Sequence, residues 1–177
     1  MEISMIRKSR PSDVDMMYEI INDAARAYKG IIPEDRWHEP YMPKDELEHE
    51  IDDGVVFWLF ETEGEPAGIM GIQDRGDVCL IRHSYVRSSS QMRGIGTRLL
   101  KYLESKTDKP VLIGTWADAT WAVSFYRKNG YRLLPEGEKN RFLRTYWTIS
   151  ERQVETSVVL ANDGWFNAGR ETGKARK

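Results

Sequence analysis

The segment Val86-Arg87-Ser88-Ser89-Ser90-Gln91-Met92-Arg93-Gly94-Ile95-Gly96-Thr97-Arg98-Leu99-Leu100 decides how this chain is read. A β run, Cys79–Val86, ends there, small polar residues follow, two glycines stand one residue apart, and helical spacing begins. A turn of this composition aims successive backbone N–H groups at one point. The helix N-terminus behind it adds partial positive charge, so the segment suits a phosphate or pyrophosphate. The dinucleotide-binding fingerprint fails, because the third glycine position after Gly94 and Gly96 is Leu99. The nucleotide P-loop fails too, since no Gly-Lys-Ser/Thr triplet occurs in the chain. From Arg87 to Lys101 every charged residue is positive: Arg87, Arg93, Arg98 and Lys101.

Upstream, Val55–Glu61, Ala67–Gln73 and Cys79–Val86 are β runs separated by turns at Gly64-Glu65 and Gly76, an antiparallel meander. Before them Ile3–Lys8 reads as a strand. Ser12, with Asp15 three residues on, opens a helix whose Val14, Met17, Tyr18, Ile21 and Ala25 share a face, ending near Gly30. Pro33, Pro40 and Pro43 make the next stretch a loop, and Pro43 suits the first position of a helix over Lys44–Asp52 that stops at Gly54. Downstream the spacing predicts a helix over Arg98–Lys106, a strand over Val111–Trp116 and a helix capped by Asp118 that stops at Gly130. Late strands follow at Arg132–Leu134 and Val154–Leu160, with a short helix within Glu138–Trp147. The apolar Val154–Leu160 run reads as a pairing edge. This order argues for an α/β (α+β) fold with a mixed, mostly antiparallel central sheet and helices on both faces. Residues 1–163 read as one domain and residues 164–177 as a polar, basic, disordered tail.

The chain has 177 residues, enough to bury about 70% of its unfolded surface. Its net charge of −2 disfavours a general nucleic-acid binder, yet it sums opposed segments: Glu34–Asp53 holds nine acidic residues against Arg36 and Lys44. The single cysteine, Cys79, allows no internal disulfide or Cys-based metal site and fits a reducing, cytoplasmic setting. Behind Arg7, Lys8 and Arg10 no apolar stretch follows, which predicts no signal peptide, and the run Val55–Phe60 is far short of the ~20 residues a spanning helix needs.

Gln91-Met92-Arg93-Gly94-Ile95-Gly96 resembles the Arg/Gln-x-x-Gly-x-Gly/Ala signature of the GNAT N-acetyltransferase superfamily. Ala122-Val123-Ser124-Phe125-Tyr126-Arg127-Lys128-Asn129-Gly130-Tyr131 resembles that family's Ala-x-x-Phe-Tyr-x-x-x-Gly-Phe helix end. Together they span Val78–Leu134, and the element order extends the likeness. The resemblance implies a GNAT-like domain with a splayed pair of parallel strands and acetyl-CoA as cosubstrate, with no metal. The pantetheine arm would lie in the splay on the amides of Tyr85, Val86 and Arg87. The pyrophosphate would meet the amides of Gln91, Met92, Arg93, Gly94, Ile95, Gly96 and Thr97, in the field of Arg87, Arg93 and Arg98.

Acetyl transfer needs a neutral amine, but an alkylamine with a pKa of about 10.4 is protonated at neutral pH, so a base must accept its proton. The departing thiolate needs an acid; by the resemblance this is Tyr126. Histone-type relatives carry a basic Glu where this chain has Leu80, which leaves His83, His38 and Glu39 as candidates. Strand alternation places His83 opposite Leu80. A second departure is Ala119, where many relatives carry an Asn that hydrogen-bonds the pantetheine; either Asp118 or Thr120 substitutes or the contact is lost. Trp37 and Tyr41, in the Pro-flanked loop, and Trp116 are candidates to line the acceptor pocket, with Trp121 and Trp147 as further aromatics. The acidic run suits a cationic acceptor. With Cys79 mid-strand and no activated Ser evident, the resemblance implies direct acetyl transfer in a ternary complex to a primary amine of a small molecule or peptide. The expected state is a monomer or homodimer with no nucleic-acid or membrane partner. The alternative is a non-catalytic acyl-CoA-binding or sensing module on the same fold.

Overall fold

The computed structural model describes residues 1–174. The strands are β1 (Ser4–Lys8), β2 (Val56–Thr62), β3 (Glu65–Asp74), β4 (Cys79–Val86), β5 (Val111–Trp116), β6 (Arg132–Leu133) and β7 (Ser157–Ala161). The helices are α1 (Val14–Ala25), α2 (Lys44–Asp52), α3 (Ile95–Glu104), α4 (Thr120–Lys128), α5 (Glu136–Tyr146), α6 (Glu151–Glu155) and α7 (Asp163–Lys174). The hydrogen-bonded strand order is β1-β2-β3-β4-β5-β7-β6, a mixed sheet in which the β4–β5 pair, connected through α3, is parallel. This is the mixed, mostly antiparallel sheet that the element order predicts.

Contacts divide the chain into two compact units. The first comprises Met1–Lys29, Trp37–Asp74 and Ile81–Thr107; the second comprises Gly30–Arg36, Arg75–Leu80 and the described residues from Asp108 onward.

In the first unit both faces of the strands are covered. Period two in β2 sends Phe57 and Leu59 to one face, where they join Met17, Ile20 and Ile21 of α1, Leu47 of α2 and Ile69 of β3. The neighbouring Gly68 faces the other way, toward Ile95 and Leu99 of α3. Helix α1 does not start on a Ser12–Asp15 pair. Pro11 draws residues 11–13 into a 3-10 turn, and the Asp13 carboxylate accepts the Arg10 amide at 2.7 Å. Arg7 grips the same carboxylate at 2.8 and 2.9 Å and reaches Glu61 at 2.7 Å, and its hydrogen bonds hold Asp13 below the usual carboxylate range.

In the second unit Leu112, Leu134, Phe142, Leu143, Trp147, Val154 and Val159 form the core. Gly114 lets the Trp147 ring pack closely there, since a Cβ would stand 3.2 Å from it. The expected strand start at Val154 is helical instead: the Ser150 hydroxyl accepts the Gln153 amide at 3.2 Å, and the buried Lys139 ammonium donates to the Val154 carbonyl at 2.8 Å. Strand β7 then pairs with β5 on one side and β6 on the other, so it is not a free edge. Ala119, not Asp118, holds the cap position of α4, and no side-chain cap bond forms. Residues 164–174 of the expected tail lie within α7. Trp165 packs edge-on against Phe142 at 4.9 Å, and Arg132 lies 3.7 Å over the Phe166 ring. The end of that expected tail, residues 175–177, lies outside the described residues. Among the described residues no helix is long and apolar enough to cross a membrane.

Gly71 marks the tightest strand position: a Cβ would stand 2.6 Å from Val55 Cγ1 and 3.0 Å from the Arg82 carbonyl oxygen. Because a backbone atom cannot yield as a side-chain tip can, Gly71→Val should lower unfolding free energy by about 3 kcal/mol, the upper end for overpacking. Urea denaturation measures this, and an unchanged midpoint would contradict the packing described.

Candidate active site

After β4 the chain makes a 3-10 turn at Ser88–Ser90, extends through Gln91, and enters α3 through two left-handed residues, Met92 at φ 65° and Gly94 at φ 74°. The Met92 side chain is fully exposed, so packing does not impose its backbone conformation. Alternating left-handed residues beside a helix N-terminus turn N–H groups inward into an anion-binding concavity. The first helical bond of α3 runs from the Arg98 amide to the Gly94 carbonyl at 3.0 Å, so the amides of Ile95, Gly96 and Thr97 precede it. Ile95 is buried and anchors this end of the helix over Gly68. Gln91 Nε2 donates to the Val86 carbonyl at 3.4 Å.

The other anchor of the turn is Asp23 of α1, whose carboxylate accepts the Ser88 amide at 2.7 Å and the Ser88 hydroxyl at 3.0 Å. Burial alone would raise this carboxyl, but the Ser88 bonds and Arg26 hold it below the usual range. Sequence reading missed Asp23 because it stands 65 residues from Ser88 and looks like one more polar residue on a helix.

Two of the three predicted phosphate-facing cations are already engaged elsewhere. Arg87 donates through Nε to the Pro66 carbonyl at 2.9 Å and through Nη2 to Met16 Sδ at 2.7 Å. Arg98 donates to the Ser4 hydroxyl at 3.0 Å and lies 4.8 Å over the Phe60 ring. Arg93 is exposed, with Glu2 3.5 Å away. The predicted amide set also changes. The Arg87 amide donates to the Ala67 carbonyl at 2.8 Å, closing the ladder to β3, and alternation turns the Tyr85 amide the same way. Of the predicted three, Val86 presents its amide to the edge away from β3, and Ser84 joins it by the same period.

On the acceptor side of the sequence reading, Tyr41 gathers the loop. Its ring lies 5.8 Å from Trp37, 6.2 Å from His38 and 5.3 Å from Tyr28, and Tyr28 in turn meets Tyr85 edge-on. His38 donates its Nδ1 proton to the Pro40 carbonyl at 2.7 Å, and Glu39 is exposed and paired with Lys29 at 3.0 Å. His83 does not follow simple alternation. Its φ is 55°, left-handed, so Arg82 and His83 both reach Glu50 of α2: Arg82 Nη1 lies 2.8 Å and His83 Nε2 3.6 Å from Glu50 Oε2. Glu50 was not singled out in the sequence, where it is one carboxylate in an acidic run.

In the second unit Tyr126 is buried on α4, edge-on to Phe125 at 5.1 Å and to Tyr131 at 6.0 Å. Trp116 is buried on β5 opposite Ser157, and Ala119 is wholly buried. An open cleft of about 570 Å³ runs along α4, lined by Ala117, Thr120, Val123, Ser124, Arg127 and Lys128. Cys79 is buried, which gives a thiol no access to a substrate.

The fold places this chain beside solved acetyltransferases. PaiA N-acetyltransferase from Thermoplasma acidophilum, in complex with coenzyme A, matches with a TM-score of 0.67 at 18% identity over 90% of this chain and 98% of that one. The ribosomal-protein-S18-alanine N-acetyltransferase from Escherichia coli matches with a TM-score of 0.63 at 15% identity, over 90% and 93% of the two chains. A GNAT family acetyltransferase from Elizabethkingia anophelis with acetyl-CoA bound matches with a TM-score of 0.60 at 21% identity, over 90% and 97%. The family profile described as acetyltransferase (GNAT) domain matches residues 20–145, which include the glycine turn, β4 and Tyr126. The chain belongs to the GNAT acetyltransferase family.

Proposed function

We propose that this protein transfers the acetyl group of acetyl-CoA directly to a primary amine of a small molecule or peptide. The observation that carries the reading is the turn from Met92 to Thr97, with two left-handed residues leading into the N-terminus of α3. Its amides would receive the pyrophosphate, with Arg93 as the exposed cation beside them. The outward amides of Ser84 and Val86 would take the pantetheine arm. The cationic rim of the α4 cleft, Arg127 and Lys128, would draw a further phosphate.

In the reaction the amine lone pair attacks the thioester carbonyl carbon, and the C–S bond breaks as the tetrahedral adduct collapses. Tyr126 donates its phenolic proton to the departing sulfur. The second proton of the former ammonium nitrogen then restores Tyr126, leaving a neutral amide and free CoA thiol. The competing reading, an acyl-CoA-binding module without turnover, draws on Leu80 and Ala119, both wholly buried, at the positions where the resemblance leads one to expect Glu and Asn. Steady release of CoA thiol in the presence of amines separates the two.

Tyr126→Phe should lower kcat by a hundredfold or more, on the order general acid catalysis supplies, while acetyl-CoA affinity by calorimetry stays within about twofold. Equal kcat values would remove the acid role. Val at both Gly94 and Gly96 should abolish calorimetric CoA binding, and unchanged affinity would refute the phosphate cradle. Asp23→Ala frees Ser88 and should raise the KM for acetyl-CoA about tenfold with little change in kcat, the size of losing a charged hydrogen bond.

A further inference from the structure

The three side chains the sequence offers as bases stand in different surroundings. Glu39 is exposed and tied to Lys29, and His38 is exposed with one ring nitrogen spent on Pro40. His83 lies against Phe57 at 5.9 Å, and its Nε2 is buried without a hydrogen-bond partner. Facing it at 3.6 Å is Glu50 Oε2, which is likewise buried without a hydrogen-bond partner. Glu50 is held in place from its other side. Arg82 Nη2 donates to Oε1 at 3.2 Å, Arg82 Nη1 sits within ion-pair distance of Oε2 but off the hydrogen-bonding line, and Arg82 is fixed by Gln73 Oε1 at 3.1 Å. Gln73 is in turn anchored on the Asp53 carbonyl at 2.9 Å. A relay of fixed groups thus ends on one carboxylate oxygen with an unspent lone pair, aimed at an imidazole.

We propose that Glu50 is the positioning residue of His83, and that His83 takes a proton from the ammonium form of the acceptor; this assignment rests on the acetyl transfer proposed above. With Nε2–H turned to Glu50, the neutral ring keeps its lone pair on Nδ1. The acceptor's R–NH3⁺ gives one proton to Nδ1, directly or through one water, becoming R–NH2 with a free lone pair, and the ring becomes imidazolium. Its Nε2–H then gains a charge-assisted bond to Glu50 Oε2. That proton returns to water after the amide has formed, so the pair is restored.

The charged and titratable groups that bear on the pair are Arg82 on the same strand and Glu46 and His49 on α2; Phe57 of β2 packs against the ring, and Gln73 of β3 holds Arg82. Burial alone would raise Glu50, but the neighbouring His83 imidazole and the Arg82 guanidinium hold it below the usual carboxylate range. Glu46, one turn earlier, is raised by desolvation and by the charge of Glu50. The two carboxyls are shifted in opposite directions, and the one held below the usual range is Glu50, which faces the imidazole at 3.6 Å.

The test is CoA thiol release from acetyl-CoA as a function of pH, with benzylamine and with water alone as acceptors, paired with nitrogen-15 NMR of the histidine rings in the full chain. Removing the anion disfavours the imidazolium, so Glu50→Gln should move the acidic limb of kcat/KM to lower pH by about one unit, and Glu50→Asp should restore it in part. His83→Asn, which leaves the Glu50–Arg82 pair intact, should lower kcat about a hundredfold and abolish that limb. The NMR spectrum, which needs no acceptor, should show His83 as the Nε2–H tautomer in the wild type and a mixed tautomer in Glu50→Gln. An unmoved limb, or an unchanged tautomer in Glu50→Gln, would overturn the pair while leaving acetyl transfer standing. Absence of thiol release by the wild type with either acceptor would overturn the acetyl-transfer reading, and the proton-acceptor role with it.

Discussion

The end of β4 is where one strand meets incompatible demands. Up to Arg87 it must stay in the ladder with β3, and the Arg87 amide does so on the Ala67 carbonyl. Within the same strand Arg82 and His83 both turn to Glu50, which a regular pleat forbids. The left-handed backbone of His83 resolves the conflict at a cost of roughly 1–3 kcal/mol, typical of a strained non-glycine residue. Such strain persists only where the surroundings over-determine it, and here Arg82, Gln73 and Phe57 fix the carboxylate and the ring from several elements.

The same logic continues into the glycine turn. Its shape is held from two sides, by Asp23 on the Ser88 amide and hydroxyl and by Ile95 seated over Gly68. Neither anchor is a ligand-facing group, and both leave the amides from Ile95 to Thr97 ahead of the first helical bond of α3. The cations are divided in the same way. Arg87 and Arg98 brace α1, β1 and β2, while Arg93 stays exposed beside the turn. A positive segment in sequence is therefore not a uniform positive face: two of its members are structural braces whose long stems cover apolar rings and sulfur.

What could be read from the sequence was local. Strands β4 and β5 begin and end at the expected residues because each is an apolar run bounded by turn residues, and the glycine turn announces itself by composition. What could not be read is non-local or breaks a local rule. The Asp23–Ser88 bond joins distant segments, and Glu50 sits in an acidic run whose members look alike until the fold buries one of them. His83 and Met92 take positive φ without being glycine, so the pattern gives no warning. At the C-terminal end the Gly, Lys and Arg content reads as a disordered tail, yet Trp165 and Phe166 give α7 an apolar face to seat on the second unit's core. Ser150 likewise converts an apparent strand start into the short helix α6.

On the function proposed above, the glycine turn and Tyr126 serve acetyl transfer to an amine rather than storage or sensing of an acyl-CoA. Mass spectrometry of a panel of primary amines, aminoacyl compounds and peptides incubated with acetyl-CoA and the full chain tests it most directly. At least one amine should gain a single acetyl group, with an equal amount of free CoA appearing. Tight CoA binding with no acetylated amine and no CoA release above the uncatalysed rate would contradict it.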